Sequence, residues 1–188
     1  MMQEASLFLL DVILQPFAAI LLLRFHLQWL RAPMYNPVGE FVMMFTNFLV
    51  LRARRYIPSA WGFDTASLLP ALLVEMLYLC CVGLVTGYAF HGAPVLGIAL
   101  LAAVKLLKFS IYMLMGAVAA QAILSWVNPH TPIAPVLEVV TRRYLQPLRR
   151  LIPMAGSIDL SPMLLFIICQ LIIIVPVGVL ERLAAHLI

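Results

Sequence analysis

The chain has 188 residues, of which 64% are hydrophobic and 11% charged, with a formal net charge of +4. A soluble domain carries about 45–50% apolar and about 25% charged residues, so there is too little polar surface here to coat a globule in water. A water-soluble enzyme or carrier is excluded, and the solvent of this chain is largely hydrocarbon.

Crossing a hydrocarbon core takes about 20 apolar residues as helix. Four runs meet that need in chain order: Leu7 to Leu23, Ala66 to Phe90, Phe109 to Val127 and Leu160 to Leu180. The first lies in "MMQEASLFLLDVILQPF", which lacks the positive start and small-residue cleavage site of a secretory signal, so it is expected to remain as a membrane helix. The longest connecting stretches are about 30 residues, the size of loops rather than domains, which leaves no room for a catalytic head. The expected fold is therefore all-α, a polytopic membrane bundle of about four transmembrane helices. Val95 to Val104, followed by Lys105 and Lys108, spans only about 15 Å as helix. It reads as an interfacial helix on the outer face or as an extension of the third span, with the lysines snorkelling.

The chain repeats itself. An offset of 95 carries Pro37 to Pro132, Thr46 to Thr141, Arg54-Arg55 to Arg149-Arg150, Pro58 to Pro153, Asp64 to Asp159, Glu75 to Gln170 and Gly83 to Gly178. Upstream of Pro37 an offset of 97 carries Arg24 to Gln121 and Trp29 to Trp126. Each unit is helix, basic loop, helix, dividing the chain into residues 1–94 and 95–188. Eight of the 12 basic residues fall in the two loops: Arg31, Arg52, Arg54 and Arg55 in one, Arg142, Arg143, Arg149 and Arg150 in the other. Short loops rich in arginine stay in the cytoplasm, so both loops are expected there, the repeats are parallel, and the termini and the His91-Gly92-Ala93-Pro94 turn face outward.

Each loop opens with an N-cap residue before proline, Asn36-Pro37 and Thr131-Pro132, which predicts a helix in each. Val38, Phe41, Val42, Phe45, Phe48 and Leu49 recur at helical steps in the first; Ile133, Val136, Leu137, Val140, Tyr144 and Leu145 do so in the second. Both are read as amphipathic helices lying in the interface, with the arginines emerging at their ends.

These motifs have a family likeness. "AILSWVNPHTP" followed by "LTRRYLQPLRRLIPMAGSIDLSP" resembles the second repeat of the YggT family of bacterial integral membrane proteins, and "RFHLQW", "YNP" and "RRYIP" followed by "FD" resemble the first. The family commonly carries Thr-x-Pro before its basic motif, whereas Phe48 and Arg143 stand at those proline positions here. The resemblance implies a bacterial inner-membrane protein, tied to osmotic-stress tolerance and ion homeostasis. Chloroplast and Gram-positive relatives are tied to nucleoid or division-site organisation and to cytochrome b6 haem assembly.

Candidate functional residues fall in three groups. The loop arginines Arg52, Arg54, Arg55, Arg142, Arg143, Arg149 and Arg150 either set topology alone or also dock anionic lipid or an acidic partner, each gaining about 1 kcal/mol beside an anionic leaflet. Asp64 and Asp159 precede membrane helices as N-caps, with an ion pair back to the loop arginines as a further role. Within the membrane, Arg24 and Glu75 are polar where charge is costly, with Gln121 and Gln170 at the matching positions. Glu75 is either a paired or hydrogen-bonded packing residue, with Arg24 as the obvious partner unless Arg24 snorkels to the cytoplasmic surface, or part of an ion or proton path.

Other features read as structural. Gly83-x-x-x-Gly87 and Gly116-x-x-x-Ala120 are small-residue steps for close helix approach or self-association. Pro16 and Pro176 are placed to kink the outer spans, and Trp29 and Trp126 to anchor span ends without acting as stacking platforms. Cys80, Cys81 and Cys169 read as packing residues. His26, His91, His130 and His186 are scattered without metal-ligand spacing, so no metal or cofactor is expected. Lacking any catalytic motif, the chain reads as a non-enzyme whose partners are membrane lipids, anionic ones included, a membrane protein or another copy. Arginine beside membrane spans points to lipid rather than nucleic acid. The competing class is a small oligomeric transporter or channel that uses Glu75.

Overall fold

The computed structural model describes residues 1–57, 64–88, 94–128, 130–151 and 159–187. Seven α-helices are described: α1 Met2–Trp29, α2 Pro37–Ala53, α3 Thr65–Thr86, α4 Pro94–Val127, α5 Ala134–Leu151, α6 Ser161–Ile172 and α7 Gly178–Ala185. No strand occurs among the described residues. A π-helical turn, Ile173–Val177, joins α6 to α7 and contains Pro176, whose missing N–H disturbs the α ladder there. Four helices are long and apolar enough to cross a membrane: α1, α3, α4 and the continuous run Ser161–Ala185.

The segment from Val95 to Val104 is the start of α4, a single helix of 34 residues, so the extension is observed and the separate interfacial helix is not. At about 1.5 Å per residue α4 measures about 51 Å and outruns a core about 30 Å thick. Lys105 and Lys108 do not snorkel. Their side chains are only 27% and 30% exposed and reach carboxylates on neighbouring helices.

The start of α2 follows the sequence closely: Asn36 accepts from the backbone N–H of Val38 and Gly39 at 3.0 and 3.1 Å, with Pro37 at the first helical position. In the other loop the helix begins at Ala134, two residues later than the Thr131-Pro132 signal implies. The Thr131 hydroxyl is buried without a hydrogen-bond partner, and its backbone carbonyl takes the Ala134 N–H instead. The turn between α1 and α2 uses Arg31 in the left-handed region, φ 54°. The Ala32 N–H then reaches the Leu27 carbonyl and closes the end of α1.

The two loop helices present different surfaces. On α2 the inward row is Gly39, Val42, Thr46 and Val50, and the exposed row is Phe41, Met44, Phe45, Phe48 and Leu51. The expected stripe thus splits: Val42 faces the core, while Phe41, Phe45 and Phe48 face out. Almost every side of α2 is apolar, so spacing alone does not select the inner face. Close approach does, because a Cβ on Gly39 would stand 2.1 Å from the Met34 carbonyl oxygen. In α5 apolar and polar sides separate, with Val136, Leu145 and Leu148 buried and Glu138, Arg142, Arg143, Gln146, Arg149 and Arg150 exposed. The two loop helices meet at one end of the bundle, where Val136 packs with Leu27, Ala32 and Val42.

Within the single chain, neither Gly87 nor Gly116 brings a neighbouring helix backbone close. Gly87 lies beyond α3 as its left-handed C-cap, φ 69°, and Gly116 faces open space. Pro16 lies within an uninterrupted α1. The His91 to Ala93 turn, Pro58, Ile152-Pro153 and the Trp126 side chain lie outside the described residues.

Candidate functional site

Three polar constellations interrupt the hydrocarbon, and each is built across elements that packing brings together. The first ties α1 to α2. Arg24 is 3% exposed and its guanidinium donates to Thr46 Oγ1 at 2.7 Å and Asn47 Oδ1 at 2.9 Å. The Thr46 hydroxyl donates in turn to the Val42 carbonyl at 2.6 Å. The matching positions of the second half also meet: the Thr141 hydroxyl contacts both the Leu137 carbonyl and the Gln121 amide. The Gln121 carbonyl oxygen accepts from that hydroxyl, where Arg24 donates to Thr46, so the matching positions meet with opposite polarity.

Arg24 therefore does not pair with Glu75. Sequence distance misled here, because both residues lie on membrane helices but Arg24 sits a few residues from the end of α1, beside the loop helix, where neutral acceptors hold it.

The partner of Glu75 is Lys105 on α4, its Nζ 4.0 Å from the carboxylate. Glu75 is fully buried, and neither carboxylate oxygen has a hydrogen-bond partner. Lys105 Nζ also stands 5.1 Å over the ring centre of Tyr78, and the Tyr78 hydroxyl donates to Asp11 Oδ1 at 2.7 Å. Gln15 adjoins Glu75 and Tyr78. Asp11, Tyr78, Lys105 and Glu75 thus form a polar chain running from an exposed carboxylate to a buried one, across α1, α3 and α4. Sequence reasoning missed this site. Its signal was two lysines in an apolar run, which need carboxylate partners if they do not reach water. Lys108 meets the same need through Glu181 Oε2 at 3.0 Å. Gln170, aligned with Glu75, is exposed on the bundle surface, so the second half has no counterpart of this buried centre.

The third constellation is the pair of basic loop ends. Arg54 binds Asp64 at 3.0 Å and Arg149 binds Asp159 at 2.8 Å, each pair ten residues apart at matching positions. The expected ion pairs form, and they remove Arg54 and Arg149 from the freely displayed charge. Asp64 stands at the N-cap of α3, but its carboxylate takes the Ser67 hydroxyl at 3.0 Å rather than a backbone N–H. Asp159 lies one residue before the cap position of α6 and accepts the Ser161 N–H at 2.9 Å. Partial burial pushes its carboxyl up, but hydrogen bonds from Ser161 and Arg149 and the Arg149 charge outweigh this and hold it below the usual carboxylate range.

Arg143 lies over the Trp29 ring at 5.3 Å. Trp29 also stacks on Phe25 at 6.2 Å, so it does serve as a stacking platform. Arg52, Arg55, Arg142 and Arg150 are exposed and make no ion pair among the described residues. No group of three His, Cys, Asp or Glu able to hold a metal occurs among the described residues.

Spanning helices joined by intramembrane polar contacts, with basic helices between them, define a polytopic helical membrane protein without a domain outside the bundle in the described chain. The chain belongs to the CCB3/YggT family, whose model matches it twice, over residues 3–85 and 100–180. It is 34% identical to the protein YggT of Escherichia coli over 183 residues, which cover 95% of this chain and 90% of the relative. A protein of Pseudomonas aeruginosa is 31% identical over 173 residues, 91% of this chain and 87% of the relative. One of Haemophilus influenzae is 30% identical over 152 residues, 80% of each. No solved structure matches.

Proposed function

We propose that this protein is a non-enzymatic, multi-pass component of the bacterial inner membrane that organises anionic lipid or an acidic partner through its two basic loops, in the service of osmotic or ion homeostasis. The observation that carries this reading is the division of labour among the arginines. Arg54 and Arg149 brace their loops against Asp64 and Asp159, which leaves Arg52 and Arg55 displayed at the end of α2, and Arg142 and Arg150 on the exposed side of α5. The exposed phenylalanines of α2 lead directly to Arg52 and Arg55, an order that suits a boundary between acyl carbon and phosphate. In this reading the loops are cytoplasmic and the termini lie outside.

Four arginines at about 1 kcal/mol each make a strong preference for an anionic surface. The test is a nanodisc reconstitution in mixed phosphatidylcholine and phosphatidylglycerol, with the lipid shell sampled by spin-labelled head groups. Changing all four arginines to glutamine is expected to abolish the enrichment of phosphatidylglycerol while insertion stays normal; unchanged enrichment would sink the proposal.

A second reading rests on a separate observation, the Glu75 carboxylate sealed from solvent with no hydrogen bond to either oxygen. Such a group suits a proton or cation site reached through Asp11, Tyr78 and Lys105. Vesicles containing the protein would then show ion flux that disappears in Glu75→Gln.

A further inference from the structure

Between the two halves lies a half-open cavity of about 800 Å³, walled by α1, α3, α4, α5 and α6 with Val38 of α2. Its wall is hydrocarbon apart from His26, Ser110, the sulfurs of Cys169 and Met113 and the polar tips of Trp29 and Tyr144. Two of those polar groups are already turned back on their own helices: His26 Nδ1 donates to the Leu22 carbonyl and Ser110 Oγ to the Leu106 carbonyl, both at 2.8 Å. The wall is therefore mainly apolar, with His26 Nε2, the Trp29 indole and the Tyr144 hydroxyl as its remaining polar groups.

Such a cavity asks to be filled. Protein interiors contain few voids larger than a water molecule, because atoms lining a gap lose their dispersion partners. Water gains nothing against a surface with so few polar partners. Most of the wall belongs to α1, α3, α4 and α6, helices long and apolar enough to span a membrane, with the loop helix α5 and Val38 of α2 completing it, so acyl chains are the medium nearest to most of the wall. Along α4 the lining runs from Ala103 to Ala117, about 21 Å of helix, an elongated shape that suits a chain.

We propose that this cavity holds an acyl chain of a membrane phospholipid with an anionic head group. The head group is drawn by Arg143, which is exposed and stands over Trp29 at the cavity rim. Trp29 links the two parts of the site, since its ring lines the cavity and carries the cation. This goes beyond loop docking, because the ligand is taken by its chain between the halves and not by its head group at the loop ends.

The experiment uses the full chain in nanodiscs with Trp61→Phe and Trp126→Phe, so that Trp29 is the sole tryptophan. Phosphatidylglycerol brominated on its acyl chain is titrated into phosphatidylcholine and the emission of Trp29 is read. Saturable quenching is expected, lost when Ala117→Phe fills the cavity. Arg143→Gln should keep the quenching but lower the preference for phosphatidylglycerol over brominated phosphatidylcholine roughly five-fold, the share of one arginine at an anionic surface. Should Ala117→Phe lose its helical spectrum, Ala103→Phe at the far end of the lining reports instead. Quenching that rises in proportion to brominated lipid and is equal in the filled variants overturns the proposal, as does a signal set by protein density, which would place a second copy in the cavity. Equal competition by a brominated free fatty acid also overturns it. Loss of loop docking leaves the quenching intact when Arg52, Arg55, Arg142 and Arg150 are glutamine, so the two proposals fail separately.

Discussion

At the scale of single residues, the cost of burying charge governs the arrangement. Glu75 is fully buried and half-buried Lys105 stands 4.0 Å from it; removing one partner of a buried pair typically costs about 3–5 kcal/mol, an upper bound here. Lys105→Met is therefore expected to destabilise the bundle strongly, Glu75→Gln less, because glutamine is neutral and nearly the same size. In the double variant much of the loss should be recovered, which denaturation of all four proteins in one detergent would reveal. At the membrane surface the energies are smaller. The Asp159 carboxyl is held below its ordinary range by Ser161 and Arg149, so the clip contributes stability above the unfolded carboxyl's pKa and loses it as pH falls through the folded value. An exposed pair of this kind is worth about 0.2–1 kcal/mol. Thermal unfolding of wild type should show that acid-side loss, and Asp159→Asn should flatten it; identical pH profiles would refute the assignment.

At the scale of elements, helix positions were legible in the sequence while helix faces were not. The Asn36 cap and the apolar runs place α1, α2, α3 and the last span within about six residues, because caps and hydrocarbon length are local properties, while α4 begins at Pro94, fifteen residues before the expected Phe109. The inner face of α2 is not local. It depends on Gly39 fitting against the Met34 carbonyl and on Thr46 receiving Arg24. Gly39→Ala places a methyl 2.1 Å from that oxygen, which nothing short of a backbone shift relieves. The expected cost is about 1–3 kcal/mol, the range for overpacking. Ala134 at the matching position makes Ala134→Gly the control, with a much smaller effect. Comparable losses in melting temperature from the two changes would show that the contact does not hold α2 in place.

At the scale of the whole molecule, the proposed topology places both basic loops on the cytoplasmic face. Cysteines introduced at Arg55 and at Arg150, on a background without Cys80, Cys81 and Cys169, should both resist a membrane-impermeant maleimide in intact cells and both react after permeabilisation. Labelling of only one from outside would separate the loops and dissolve the shared docking surface. The sequence repeat carries information at this scale, because matching positions meet in each half, Arg24 donating to Thr46 and Gln121 accepting from Thr141, and each half makes the same clip, Arg54 with Asp64 and Arg149 with Asp159. Only the first half adds the buried acidic centre.

Composition and the 95-residue echo of Thr46 in Thr141 determined by themselves that this chain carries helices long and apolar enough to span a membrane, and that its sequence motifs recur. Those properties depend on the transfer of side chains between water and hydrocarbon, which is additive along a chain. The tertiary structure alone decided that Glu75 meets Lys105 rather than Arg24, that Trp29 carries Arg143, and that the halves leave an apolar cavity between them. Contacts between helices depend on rotation and approach, and a glycine or threonine at the interface sets those through space rather than through spacing in the sequence.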